Sequence, residues 1–465
     1  MKTWMRRKPV ELDAISDHHR LTRTLSWWHL VALGVGAIVG TGIYTLIGVG
    51  ANLAGPAVVV SFLVAGAICA CAALSYAEVA TMIPASGSAY TYSYVVLGEI
   101  IAWVVGTALI LEYSLVCSAV AVGWSGYAVG FFTSLGVALP TALTVGPEAG
   151  GLINLPAMGI VAVVAGMLAA GTRESATVNA VLVLIKIAAL LVFVAVALPH
   201  FDAANFTPFA PYGFANKEVG GVQHGVMAAA AIIFFAFYGF DAISTAAEET
   251  KNPNRDLPIG IIGSMAACTA IYVAVAAVAV GSMSYLNFAN SPEPLALILR
   301  ELGSNTLAAV VSAAAVVALP TVILAFLYGQ SRIFFVMARD GLLPQALARV
   351  NARTGTPVRI TIVTAVVVAL LAGIVPLDQI AALANAGTLI AFIAVAVCMM
   401  VLRKRQPDAP RVYRTPLPFV IGPVAVLGCL YLFWSLPEKT RIFCAIWNGL
   451  GLVWYLLVVA RRPHA

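Results

Sequence analysis

Residues 29–55 read HLVALGVGAIVGTGIYTLIGVGANLAG, an apolar run interrupted by glycines at 34, 36, 40, 42, 48 and 50. A helix of about 20 apolar residues crosses a hydrocarbon core of about 30 Å, so the run is long enough to span a bilayer. Each glycine costs a helix about 1 kcal/mol relative to alanine. Two of them flank Thr41 in VGTGI, Val39–Ile43, and there the span is expected to unwind. Gly34, Gly36, Gly48 and Gly50 read instead as positions for close helix packing. Backbone groups freed inside a membrane persist only where protein or ligand satisfies them. Gly34 and Gly36 do not begin a dinucleotide fingerprint, since the third glycine and a preceding strand are both missing.

A second interrupted run lies at 230–249, AAIIFFAFYGFDAISTAAEE, with Gly239 and then Asp241 at mid-span. Apolar runs begin near residues 28, 56, 98, 152, 175, 223, 257, 306, 357, 378, 416 and 440, about twelve in all. If spans 1–5 and 6–10 form two halves, the interrupted runs are the first helix of each. Interrupted helices at matching positions of two halves point to a transporter's mid-membrane binding site.

Composition agrees with this reading. Of 465 residues, 61% are hydrophobic and 10% charged, far below the roughly 25% charged residues of a soluble domain. The chain reads as an all-α polytopic membrane protein. Its parts are a polar N-terminal segment (1–26), a ten-helix core (27–402), a polar connector (403–415), two further spans (416–460) and a short tail (461–465). The opening MKTWMRRKPVELDAISDHHRLTRT is basic and polar, and no A-x-A-like exit follows the first apolar run, so a cleavable signal is not expected. The net charge of +6 is a topology signal, not a nucleic-acid footprint. With the N-terminus cytoplasmic and sides alternating, only Lys217, Arg300, Lys439 and Arg441 fall outside. Every other lysine and arginine except Lys186 falls inside, which places both termini in the cytoplasm. The seven cysteines lie in or beside apolar runs and lack metal-site spacing, so they read as packing residues.

A zwitterion needs donors for its carboxylate and acceptors for its ammonium. Freed N–H groups of Gly40, Thr41 and Gly42 at a half-helix N-terminus supply the first, aided by the helix dipole. Freed carbonyls around Phe235–Gly239 supply the second. Val39 and Ile43 complete the unwound stretch, and Phe235, Phe237 and Tyr238 are candidates for an aromatic lid. About half of the rings in that stretch are ordinary lipid-facing surface on the bland reading. The eighth-span stretch VVALPTVILAFLYG offers no acid and many branched apolar groups, which leans toward small or apolar neutral amino acids.

Four runs are specific in combination: GVGAIVGTGIY (34–44), IPASGSAYTYSY (83–94), FFAFYGFDAISTAAEETKNPNRDLPIGI (234–261) and GQSRIFFVMARDGLLP (329–344). They resemble the amino acid–polyamine–organocation superfamily, and within it the bacterial branch of the cationic amino acid transporters. The resemblance covers about residues 20–460. It implies the leucine-transporter fold, with a 5+5 inverted repeat, broken helices 1 and 6, two added C-terminal helices and alternating access. It also implies a multi-pass protein of the bacterial inner membrane that carries amino acid and proton.

Lys186 stands alone in LVLIKIAALLVFVAVALP (182–199). A charge at mid-bilayer costs about 2.5–3.5 kcal/mol by insertion scales, and such groups usually mark pathways or relays. The bland alternatives are a permanently charged structural lysine or one snorkelling to the interface, and its depth argues against the latter. The resemblance implies that Lys186 places its ammonium between helices 1 and 8, where sodium-coupled relatives hold Na⁺, and loads and releases the coupling proton.

Glu112, mid-third span, and Asp241 share the membrane interior and resemble acidic positions of the cationic branch. Either pairs with Lys186 or faces a substrate ammonium, and Asp241 alternatively caps the second half of span 6. Glu112 keeps arginine, lysine or ornithine open as substrates. Glu78, Glu248 and Glu249, nearer span ends, read as cytoplasmic salt-bridge or gate residues. The leading expectation is proton-coupled amino acid uptake by a secondary transporter, with no cofactor and no metal. The alternative is a proton-independent exchanger for cationic amino acids. An enzyme is not expected, since all six histidines sit at span ends, in loops or in the termini. Oligomeric state is not legible in the sequence.

Overall fold

The computed structural model describes residues 25–83, 87–171, 176–245, 250–289, 291–344 and 357–459. Glu248, Glu249 and the terminal segments 1–24 and 460–465 lie outside them. Within the described residues, helices stand at each of the twelve places where the sequence is apolar. Span 1 is built from Trp27–Ile38, Thr41–Tyr44 and Leu46–Ala54, and span 2 from Val58–Met82. Span 3 is Glu99–Ser134, span 4 Leu155–Ala169, and span 5 Ala176–Ala197. Span 6 consists of Val226–Ile233, a 3-10 turn Phe234–Phe237, and Phe240–Thr245. Span 7 is Pro253–Ser282, and span 8 runs as Asn305–Ala318 and Pro320–Arg339. Spans 9 to 12 are Val358–Ile374, Leu377–Arg405, Pro418–Ser435 and Glu438–Trp454.

Trp27–Ile38 and Val226–Phe237 are too short to cross alone, because each belongs to a span that breaks midway. Spans 1 and 2 lie along span 7, while spans 3 and 11 flank span 10. Leu427, Leu430 and Trp434 of span 11 and Leu450 of span 12 stay exposed, as side chains facing lipid do. Several connecting elements escape a hydropathy reading because they are short and mixed in polarity. These are the helix Ser88–Val96 after span 2, the helices Tyr285–Phe288 and Pro294–Glu301 after span 7, and a hairpin of Lys217–Val219 with Val222–His224.

The two broken spans cross with their backbones in contact, and glycine is required on both sides of the crossing. Gly239 has φ +105, and a Cβ there would lie 2.7 Å from the carbonyl carbon of Ala37. Reciprocally, a Cβ on Gly42 would fall on the backbone of Ala236. Each glycine therefore admits the other span's chain at its break.

Buried carboxylates anchor the later spans on the face where span 1 begins. Glu78 of span 2 meets the Nε atoms of Arg403 at 2.7 Å and Arg411 at 3.2 Å, and accepts the Thr415 N–H at 2.8 Å. Arg411 also donates to Leu402 and Gln406, capping the end of span 10. Glu78 is thus an ion-pair residue, as its place near a span end suggests. Glu99 accepts the hydroxyls of Tyr94 at 3.0 Å and Tyr455 at 2.9 Å, fastening the end of span 12 to span 3.

On the opposite face, the segment ending in Pro294–Glu301 sits on a glycine groove of span 3. A Cβ on Gly126 would meet the Pro292 carbonyl oxygen at 2.7 Å, and one on Gly130 would strike the Glu293 carboxylate. Glu293 accepts from Arg300 and, at 3.3 Å, from the Ser312 hydroxyl of span 8. Burial pushes this carboxyl above the ordinary glutamate range, and Arg300 and Ser312 pull it only part of the way back.

Two tests follow from these contacts. Gly239→Ala should lower stability by about 2 kcal/mol or more, through the left-handed backbone and the clash. Gly159→Ala, at a helical glycine with nothing within 4 Å, is the control and should be neutral to stabilising when both are melted in detergent. For Glu293, the folded carboxyl keeps its proton where the unfolded one has lost it. Its stabilising share is complete below about pH 4.3, the unfolded value, and is lost as pH rises through the higher folded value. Glu293→Gln should flatten that part of the melting temperature's pH dependence.

Candidate functional site

The helix of span 1 ends at Ile38, Val39 and Gly40 are extended, and helix resumes at Thr41. The unwound stretch is therefore shorter than Val39–Ile43, since Thr41, Gly42 and Ile43 already form the next turn. In an unbroken helix the carbonyls of Gly36 and Ile38 would take the N–H groups of Gly40 and Gly42. Here those carbonyls find side chains instead. The Tyr272 hydroxyl of span 7 donates to the Ile38 oxygen at 2.8 Å. Lys186 Nζ of span 5 donates to the Gly36 oxygen at 2.9 Å and to Thr321 Oγ1 of span 8 at 3.0 Å. Lys186 is 1% exposed, so its charge is held wholly by protein groups at the level of the break. Its Nζ lies between spans 1 and 8.

Span 6 is treated in the same way. Asn385 of span 10 donates to the carbonyls of Ala231 at 2.6 Å and Ile232 at 3.0 Å, just before the 3-10 turn. Tyr238 is extended after that turn, and Gly239 takes the left-handed conformation. The Gly239 N–H donates to Asp241 Oδ1 at 3.2 Å, and the Tyr113 hydroxyl to Oδ2 at 3.3 Å. Asp241 therefore binds a freed amide of the break.

Between the two breaks lies a small cavity, with room for about one water, whose lining residues are all buried. Its backbone wall is Ala37, Ile38, Gly40, Thr41 and Gly42, and Phe235 and Tyr238 close it from span 6. Val116 and Val120 of span 3 and Val322 and Phe326 of span 8 line the rest. No described acceptor takes the N–H groups of Gly40, Thr41 or Gly42, so this wall presents donors. The side-chain wall is almost entirely apolar.

Of the residues singled out in the sequence, Gly40, Thr41, Gly42, Phe235 and Tyr238 line this cavity. Val39 and Ile43 are buried in the core beside it, Gly239 shapes the crossing, and Phe237 packs edge-on against Phe62 and Tyr272. Glu112 and Asp241 are also outside the lining. Glu112 faces span 10, where Gly387 leaves room for its Cβ. Among the described residues the Glu112 oxygens lack a well-formed hydrogen bond, and the nearby Thr388 hydroxyl donates to Ala384 in its own helix. Tyr272 and Asn385 were not legible as site residues. Their only signal is a polar group inside an apolar span, which many packing residues share.

Interrupted spans crossing at a buried cavity, with a lysine Nζ donating to the freed backbone, define a membrane carrier of the broken-helix type. Residues 25–460 match the family model described as amino acid permease. The chain belongs to that family, whose members are transporters and not enzymes. It is 45% identical to the branched-chain amino acid permease BcaP of Bacillus subtilis, over 99% of this chain and 98% of the relative. It is 41% identical to the methylthioribose transporter of the same organism, over 100% and 99%. It is also 38% identical to the vacuolar cationic amino acid transporter 4 of Arabidopsis thaliana, over 88% of this chain and 68% of the relative.

Asn385→Ala removes the side-chain donor from two buried carbonyls, at a cost of about 0.5–1.5 kcal/mol for each bond lost. The expected result is a lower melting temperature and at least a tenfold loss of transport, with helical content by circular dichroism unchanged.

Proposed function

We propose that this chain takes up neutral amino acids with apolar side chains, coupled to protons, by alternating access across a bacterial plasma membrane. The observation that carries the reading is the cavity itself, which combines backbone donors at Gly40–Gly42 with an apolar side-chain wall. The substrate carboxylate meets those amides, and its ammonium meets carbonyls of the span 6 break around Phe235–Gly239. Its side chain lies against Val116, Val120, Val322 and Phe326. Glu112, outside the lining, gives a cationic tail no counter-charge within the cavity, which favours neutral over cationic substrates. The name of the branched-chain relative agrees with this choice.

Lys186 is the coupling residue. Charged, its ammonium ties span 5 to the Gly36 carbonyl before the break and to Thr321 on span 8. Once the proton leaves, the charge-assisted part of that tie is lost and the first half of span 1 is free to tilt. In this reading residues 27–402 form the transport core and 416–460 an accessory pair joined by the connector 403–415. The distribution of lysine and arginine supports a cytoplasmic location for both termini.

The test is uptake into liposomes with an acid-outside gradient, using leucine, isoleucine, valine, alanine, arginine and methylthioribose. Wild type should accumulate a branched or small neutral amino acid under the gradient. Lys186→Ala should lose that accumulation while still binding substrate. Uptake that ignores pH, with exchange retained in Lys186→Ala, would replace this reading by an exchanger. Preference for arginine or methylthioribose would overturn the substrate class.

A further inference from the structure

The lysine that receives the proton is held at both of its ends by span 1. Its Nζ donates to Gly36, before the break. Its backbone oxygen accepts the hydroxyl of Tyr44, after the break, at 2.8 Å. Tyr44 is itself fixed from span 3, where the Tyr127 hydroxyl donates to the Tyr44 carbonyl at 2.6 Å. Both rings are fully buried and meet edge-on, 5.6 Å apart and at 86°. The carbonyl taken by Tyr127 stands at a second irregularity of span 1, where Thr45 leaves the helical conformation with φ −122.

We infer that Tyr44 is a positioning residue for proton coupling, holding the second half of span 1 on span 5 whether or not Lys186 carries its proton. The two bonds to Lys186 differ in kind. The bond from Nζ depends on the state of the ammonium. The bond from Tyr44 goes to a backbone carbonyl and is indifferent to it. Loss of the proton therefore weakens the grip on Gly36 and leaves the grip on Thr41–Tyr44 intact, so that the break acts as a hinge with one fixed side. Without the Tyr44 hydroxyl both halves would move together, and substrate could cross with no proton transferred. Tyr127 supports the same fixed side from span 3, next to Gly126 and Gly130, which seat Pro292 and Glu293. Titratable groups facing Lys186 include Tyr44 itself and Cys268 of span 7, and neither brings a fixed charge that would replace this tie.

This inference rests on the proton-coupled reading, and the experiment separates the two. Wild type, Lys186→Ala, Tyr44→Phe and Tyr127→Phe are reconstituted, and each is measured for exchange of the best-transported amino acid and for accumulation under one pH unit. One proton per amino acid converts one pH unit into at most about a tenfold accumulation. Tyr44→Phe should exchange within about threefold of wild type yet accumulate less than about twofold. Tyr127→Phe should retain exchange and lose at least about threefold in accumulation. If Lys186→Ala accumulates as wild type does, the proton reading falls and takes this inference with it. If Lys186→Ala loses accumulation while Tyr44→Phe keeps it, only the role of Tyr44 is overturned. A folded Tyr44→Phe that neither exchanges nor accumulates would also overturn it, since the hydroxyl would then serve transport itself. Should Tyr44→Phe fail to fold, wild-type accumulation in Tyr127→Phe overturns the fixed-side role.

Discussion

A backbone polar group freed inside a membrane has no water to turn to, and this demand organises the centre of the molecule. Breaking span 1 frees carbonyls before Gly40 and amides after it. Lys186 and Tyr272 take the carbonyls of Gly36 and Ile38, and Asn385 takes those of Ala231 and Ile232 in span 6. Asp241 takes the Gly239 amide. What the described residues leave open are the amides of Gly40–Gly42, residues that line the cavity. The proposed site is thus the part of the break that side chains do not satisfy.

Among these donors Lys186 alone brings a full charge, which sets it apart from a tyrosine or an asparagine doing the same work. Placing an ammonium here is costly unless nearby oxygens replace its hydration. The Gly36 carbonyl and the Thr321 hydroxyl do so, and they belong to spans 1 and 8. A proton on one side chain therefore bears on contacts among three spans around the cavity. Glycine permits this geometry, because the crossing at Gly42 and Gly239 brings the two broken backbones together without side chains between them.

Much of this was legible in the sequence. Hydropathy located the twelve spans, and the glycines of VGTGI and FYGFD marked both breaks, since helix is costly there and nothing else in an apolar run announces a break. Lys186 declared itself by its cost. The rest was hidden for physical reasons. Where the helix resumes depends on which carbonyls find outside donors, and Tyr272 and Asn385 lie far from the breaks in sequence. Glu112 suggested a substrate contact because it sits mid-span, but only the packing of span 3 against Gly387 reveals that it lies outside the cavity lining. The short helix Ser88–Val96 and the pair after span 7 carry no apolar run long enough to be noticed.

The central claim is that the charge on Lys186 holds the broken segment of span 1 in place. Hydrogen exchange at the amides of the first half of span 1, Leu33–Val39, corrected for the intrinsic pH dependence of exchange, measures that hold directly. Compared across a pH series in wild type and Lys186→Met, protection should fall with rising pH in wild type. The variant should be weakly protected at every pH. The same pH-dependent step in both proteins would contradict the claim and assign the titration to another group.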